Sequence, residues 1–192
     1  MSSHVSTSAR QGLNARQAET AEKLFAAGAD ELRAVGHEAL TIRTVANRAG
    51  VSPATAYTYL ASKNHLFAEL FWRYLAEDRD HRPTGETATA RVQSVTHRLA
   101  QRLAQSPELA AAVTPALLGT DPDVERLRLR VGGEFVEMFS AALGDDARPE
   151  VVETLTLAFS GALLQAGMGL MTYTEMGERL DSVVAVIMEG NA

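Results

Sequence analysis

Residues 39–63, Ala-Leu-Thr-Ile-Arg-Thr-Val-Ala-Asn-Arg-Ala-Gly-Val-Ser-Pro-Ala-Thr-Ala-Tyr-Thr-Tyr-Leu-Ala-Ser-Lys, spell two short helices joined by a tight glycine turn. Thr41 is placed to cap a helix that begins at Ile42, with Leu40 and Val45 spaced as an apolar staple across its first turn. Gly50 supplies the left-handed residue that closes this helix near Ala49, and Val51 folds an apolar side chain back onto it. Ser52 and Pro53 are a second start signal: a capping hydroxyl, then a residue whose missing N–H costs nothing at the first helical position. Val45, Ala46, Ala49, Val51, Ala56 and Leu60 fall on one apolar seam. The other face carries Arg43, Ser52, Thr55, Tyr57, Thr58, Tyr59 and Lys63, whose hydroxyls, polar-tipped aromatics and cations suit phosphates and base edges. The alternative is an ordinary helical hairpin with a solvated polar face, which has no need of Tyr-x-Tyr.

Thr-Ile-Arg-Thr-Val-Ala, Ala-Gly-Val-Ser, Thr-Ala-Tyr-Thr-Tyr-Leu and Ser-Lys-Asn-His-Leu-Phe together resemble the TetR family of transcriptional regulators in order and spacing, from about Glu22 to Leu70. Leu24, Phe25, Ala27, Leu32 and Gly36 resemble the family's first helix, which packs across the hairpin. Glu31, His37 and Leu60 depart from the pattern, standing where the family usually has an apolar residue, an aromatic and Phe respectively. The resemblance implies roles at matching positions. Thr41 would meet a phosphate at a helix N-terminus. Arg43 would reach a base edge, that of guanine. Pro53, Ala54 and Thr55 would form the tip of the recognition helix in the major groove, beside its cap Ser52. Tyr57, Tyr59 and Lys63 would contact backbone phosphates; packing on Leu60 or Phe67 is the alternative for each tyrosine.

The formal net charge of -6 becomes compatible with a DNA partner once it is divided along the chain. Residues 1–63 hold seven Arg or Lys against five Asp or Glu, a balance of +2, so the remainder carries -8. A head so weakly basic binds poorly alone at physiological salt, where phosphate neutralisation supplies much of the affinity, and two heads acting together are expected. There is no cysteine, hence no disulfide framework and no cysteine-based metal or redox site. Neither a bilayer-spanning apolar run nor a signal peptide is visible, and a cytoplasmic protein with no membrane association is expected.

Beyond the head the chain reads as helix throughout. An amphipathic helix from Lys63 to about Asp80 is followed by helices over 87–105, 107–118, 121–143, 149–173 and 175–189, set off by Ser106-Pro107, Asp121-Pro122 and Gly144-Asp145-Asp146. The expected fold is all-α with about nine helices: an aperiodic, flexible tail over 1–14, a three-helix DNA-binding domain over 15–63, and a helical bundle over 64–192.

The last two helices are apolar over more than one face, through Val151, Val152, Leu155, Leu157, Phe159, Leu163 and Leu164, then Leu180, Val183, Val184, Ile187 and Met188. Such helices need a further surface to cover them, and a two-fold homodimer through residues 150–189 is expected, as the family resemblance also implies. The resemblance further implies a small-molecule effector in the second domain. Phe71, Trp72, Leu75, His97, Leu117, Phe135, Phe139, Phe159, Leu163, Gln165, Met168 and Met171 are the candidates, each with plain core or surface packing as its alternative. Charge is scarce among them, which favours an apolar or weakly polar effector. No Ser-His-Asp order, phosphate loop or metal spacing is present, so neither an enzyme nor a cofactor is expected. The leading function is a dimeric, ligand-responsive regulator of operator DNA, a repressor before an activator. An interaction protein that kept the fold without DNA binding is the competing class.

Overall fold

The computed structural model describes residues 3–190, with side chains from residue 15 onward, and among these residues it holds nine α-helices and no strand. They are α1 (Ser3–Ala39), α2 (Ile42–Ala49), α3 (Pro53–Tyr59), α4 (Lys63–Ala76), α5 (Ala88–Ala104), α6 (Pro107–Leu118), α7 (Pro122–Leu143), α8 (Pro149–Gly167) and α9 (Tyr173–Glu189), with a single 3₁₀ turn at Gly144–Asp146. The span of α1 takes in most of the segment read as an aperiodic tail, and the side chains of residues 1–14, Arg10 among them, lie outside the described residues. Gly36 breaks α1 near its end with φ 74° and ψ 171°, a conformation open to glycine alone among common residues.

Caps set most boundaries where local chemistry placed them. Thr41 accepts from the Thr44 amide while the Thr44 hydroxyl accepts from the Thr41 amide, a reciprocal box that closes the start of α2. Gly50 ends α2 at φ 68°, and the Val51 amide returns to the Ala46 carbonyl at 3.0 Å. Three boundaries beyond the head fall elsewhere than expected. α4 stops at Ala76, with turns over 77–80, and α8 stops at Gly167. The cause at α8 is Gly169, left-handed at φ 76°, followed by Thr172 and Glu175, which form their own capping box and start α9 at Tyr173.

The packing divides inside α4. Leu66, Phe67 and Leu70 join Leu24, Leu40, Val45, Ala56 and Leu60 in the head core, whereas Phe71 and Leu75 belong to the body core with Val92, Leu99, Phe139 and Phe159. α6 reaches into the head as well, lending Ala112 and Ala116 to its core. The two parts are thus held by a shared helix and a plug of small side chains, so a rotation of the head strains the body directly. Elsewhere α5 lies along α9 and α6 crosses α8, where Gly167 leaves no room for a Cβ against Thr114.

Candidate nucleic-acid interface

The residues of the opening stretch fold into an inward seam and an outward polar face. Val45, Ala46, Ala56 and Leu60 are wholly buried, with Ala49 and Val51 packed against them. Outward stand Thr41, Arg43, Ser52, Pro53, Ala54 and Tyr57, all exposed, beside the half-buried Thr55 and Tyr59. The two tyrosines differ: Tyr57 is 57% exposed, whereas Tyr59 is half-buried and packs against the head core. The Ser52 hydroxyl accepts from the Thr55 amide at 3.1 Å and lies 2.9 Å from the Thr55 hydroxyl, so the tip of α3 is already ordered. Pre-ordering of this kind lowers the entropy cost of docking.

Lys63 is less free than the sequence suggested. Its ammonium donates to the carbonyls of His37 at 2.8 Å and Glu38 at 3.1 Å, fastening the chain after Gly36 to the start of α4. One of its three N–H bonds is left for another acceptor.

Glu31, odd on the apolar side of a helix, has its explanation in Arg48. Arg48 Nε donates to Glu31 Oε2 at 2.7 Å, tying α1 to α2, and this bond first of all holds the buried carboxyl below the usual range. Seventeen residues separate the pair, so no helical spacing announced it. Arg73 makes a further link to α1. It grips Glu22 with two bonds of 2.7 and 2.9 Å, donates to Glu69 at 3.1 Å, and lies 4.1 Å over the Phe25 ring. The Glu22 grip is the first cause of a guanidinium held above its ordinary value.

In the body, a cavity of about 230 Å³ opens between α4, α5 and α7. Of the effector candidates it brings together Leu75 and Phe135, with Val95, Leu99 and Met138 around them. The others are placed differently. Phe71, Phe139, Phe159 and Met171 are core; Leu117 and Leu163 pack against it; Gln165 and Met168 face outward. His97 Nε2 lies 2.7 Å from Asp181, joining α5 to α9 where Gly177 permits close approach. Trp72 donates to Glu134 at 2.9 Å, with the Arg130 guanidinium 3.4 Å from its ring centroid. Large apolar side chains at helical spacing look alike whether they fill a core or line a gap, and only the crossing of helices separates them.

The rim of the cavity holds charge that the sequence reading missed: Asp78, Arg79, Arg102, Glu134 and Glu137. Arg79 donates to both carboxylate oxygens of Glu134, and this pairing first, then the Trp72 bond, holds that carboxyl below the usual range. Among the described residues no helix is long and apolar enough to cross a membrane, and no group of three His, Asp or Glu is arranged to hold a metal.

Comparison with known proteins adds four findings. A family model described as bacterial regulatory proteins of the tetR family matches residues 21–70. An HTH-type transcriptional regulator of Mycobacterium tuberculosis (strain ATCC 25618 / H37Rv) is 43% identical over 179 residues, 92% of this chain and 84% of that one. The HTH-type transcriptional repressor KstR of Rhodococcus jostii (strain RHA1) is 26% identical over 159 residues, 80% of this chain and 75% of that one. The fold is similar to that of Thermus thermophilus FadR, a TetR-family transcriptional repressor solved in complex with lauroyl-CoA, at a TM-score of 0.71 and 21% identity over 90% of this chain and 95% of that one.

Proposed function

Since the chain belongs to the TetR family of bacterial regulatory proteins and is a DNA-binding transcriptional regulator, we propose that it is a cytoplasmic, dimeric repressor that a small molecule releases from its operator. The observation that carries this is the α2–Gly50–α3 unit, capped at every end, with its polar face unburied and its apolar face fixed to α1 and α4. Arg43 reads a base edge, and the small Pro53, Ala54 and Thr55 let the tip of α3 approach the groove floor. Thr41, Ser52, Tyr57, Tyr59 and the spare Lys63 proton position the head on phosphates. The names of KstR and FadR as repressors, and the lauroyl-CoA bound to the latter, support repression and ligand response.

A second head comes from a second chain. Leu157 on α8 and Val186 on α9 are 67% and 70% exposed, and Gly161 has open space where a Cβ would stand, which suits a two-fold bundle through residues 150–189. Coupling from body to head has a contiguous route. It runs from the Arg79–Glu134 pair at the cavity through Trp72 and Arg130 to Glu69, on to Arg73, and across to Glu22 of α1. A ligand that binds better to the arrangement with displaced heads lowers DNA affinity by that difference in binding energy.

Gel shift with the DNA flanking its own coding region tests the reading. Salt-sensitive, sequence-specific binding that Arg43→Ala and Tyr57→Phe weaken is the expected result. Binding untouched by either substitution refutes the assigned contacts.

A further inference from the structure

We propose that Asp121 is a positioning residue for DNA reading: its bond to Ser62 fixes the exit of the recognition helix α3 to the start of α7, and so sets how the head stands on the body. The role goes beyond ligand response and holds with or without a guest in the cavity.

Two helix starts meet at this point. Ser62 caps α4, its hydroxyl oxygen accepting from the His65 amide at 2.9 Å. Asp121 caps α7, its Oδ1 accepting from the Asp123 amide at 3.0 Å. A cap needs a single acceptor, and Asp, Asn and Ser supply it about equally well. Asp121 has a second one, Oδ2, which accepts from the Ser62 hydroxyl across 59 residues of chain. Hydrogen bonds to an ionised acceptor are among the stronger ones. The loop that carries Asp121 is itself secured, because Arg128 Nη2 donates to the Gly119 carbonyl at 2.8 Å and ties it to the second turn of α7.

Ser62 lies two residues past Leu60, the wholly buried residue that ends α3. Two residues span at most about 7 Å, so Ser62 cannot move far without pulling on the recognition helix. Next to the bond, Val124 and Leu127 of α7 pack on Ala68 of α4. Apolar contact of this kind is non-directional, whereas a hydrogen bond has a preferred distance and angle and selects one register. The 22 residues of α7 continue into the body, where Phe135 and Met138 wall the cavity. The joint between α3 and α4 is thus referred to the body through α7 as well as through α4. Arg73 and Glu22 hold α1 to α4; Asp121 holds the α3–α4 joint to α7.

Asp121→Ser keeps a capping oxygen and gives up the second acceptor. Fluorescence anisotropy on the flanking DNA, well below the thermal transition, is expected to show an operator affinity about tenfold weaker, the worth of a hydrogen bond to a charged group. A cap without a positioning role would lower the melting temperature and leave that affinity unchanged. Ser62→Ala should weaken binding as well, and the two substitutions together by no more than about the larger single loss, since both remove one bond. Because the chain has no cysteine, nitroxides on Asn47→Cys in the head and Gln101→Cys in the body, both exposed positions, read the distance between head and body without DNA. Pulsed electron resonance on labelled chains diluted with unlabelled ones should give a wider distance distribution in Asp121→Ser than in the parent. Arg43→Ala should weaken DNA binding with that distribution unchanged, so failure of the contact assignment and failure of the positioning role show in different measurements. Full operator affinity in Asp121→Ser, losses that add in the double variant, or an unaltered distance distribution in Asp121→Ser would overturn the proposal.

Discussion

Removing the Arg73 side chain should loosen the head from the body, and the structure predicts both the size of the loss and its distribution among partners. Arg73 is 28% exposed at its side chain and bridges three groups of unequal burial: Glu22 at 64%, Glu69 at 11%, and the ring of the buried Phe25. The Glu22 pair is largely solvated and contributes about 0.5 kcal/mol despite its two bonds. The Glu69 carboxylate is the costlier loss, about 1 kcal/mol, because desolvation is already incurred and only Arg130, at 3.5 Å, stays near. Stacking over Phe25 adds about 0.5–1 kcal/mol. Arg73→Ala should therefore destabilise by about 2–2.5 kcal/mol, equivalent to a fall in Tm of roughly 4–10 °C for a chain of this size. Glu22→Gln should lower Tm by no more than about 2 °C. Thermal unfolding followed by helical ellipticity reads both, at a fixed protein concentration because a dimer's Tm depends on it. A Glu22→Gln loss equal to that of Arg73→Ala would refute the reasoning, since the solvated pair would then dominate. So would an Arg73→Ala transition within a degree of the parent.

Gly50→Ala tests the turn: with no atom within 4 Å of the added Cβ, the cost is the left-handed backbone alone, about 1 kcal/mol, and Gly50→Asn should recover part of it in urea unfolding. Glu134 sets an acid limit. Its carboxyl is held below the usual value by Arg79 first and Trp72 second, so its stabilisation is complete above the ordinary carboxylate pKa of about 4.3 and is lost as pH falls through the lowered value. Arg79→Gln should therefore cost stability at neutral pH and lose that deficit in acid unfolding curves as pH falls from the ordinary carboxylate value through the lowered one of the parent. A deficit independent of pH would place the effect elsewhere than in the ion pair.

Legibility followed the range of the interactions. α2 and α3 were readable to the residue because Thr41, Gly50, Ser52 and Pro53 act within four positions of themselves. The partner of Thr41 was not anticipated, since its reciprocal acceptor is a threonine, Thr44, where a capping box usually offers Glu or Gln. The helix expected over 149–173 ran past Gly161, Gly167 and Gly169 alike, and backbone conformation alone selects Gly169 as the left-handed residue beyond the end of α8. Glu31 was visible as an anomaly but its answer, Arg48, is set by the crossing of α1 with α2. The cavity was least legible: Leu75 and Phe135 could be listed among many apolar residues, whereas Arg102 and Asp78 at its rim gave no sign in the linear pattern.

The central claim is that one weakly basic head is insufficient and that a twin, held at fixed spacing by α8 and α9, makes it a reader of DNA. Leu157→Arg combined with Val186→Arg places four buried cations in the proposed two-fold seam, far from Arg43 and Tyr57 in sequence and element. Sedimentation of this variant beside fluorescence anisotropy on the flanking DNA gives mass and affinity together. The account predicts a monomer with the parent's helicity and an operator affinity at least about 100-fold weaker, the gain that linking two heads supplies. A dimer mass unchanged by both arginines, or a monomer that binds the operator as tightly as the parent, would contradict it.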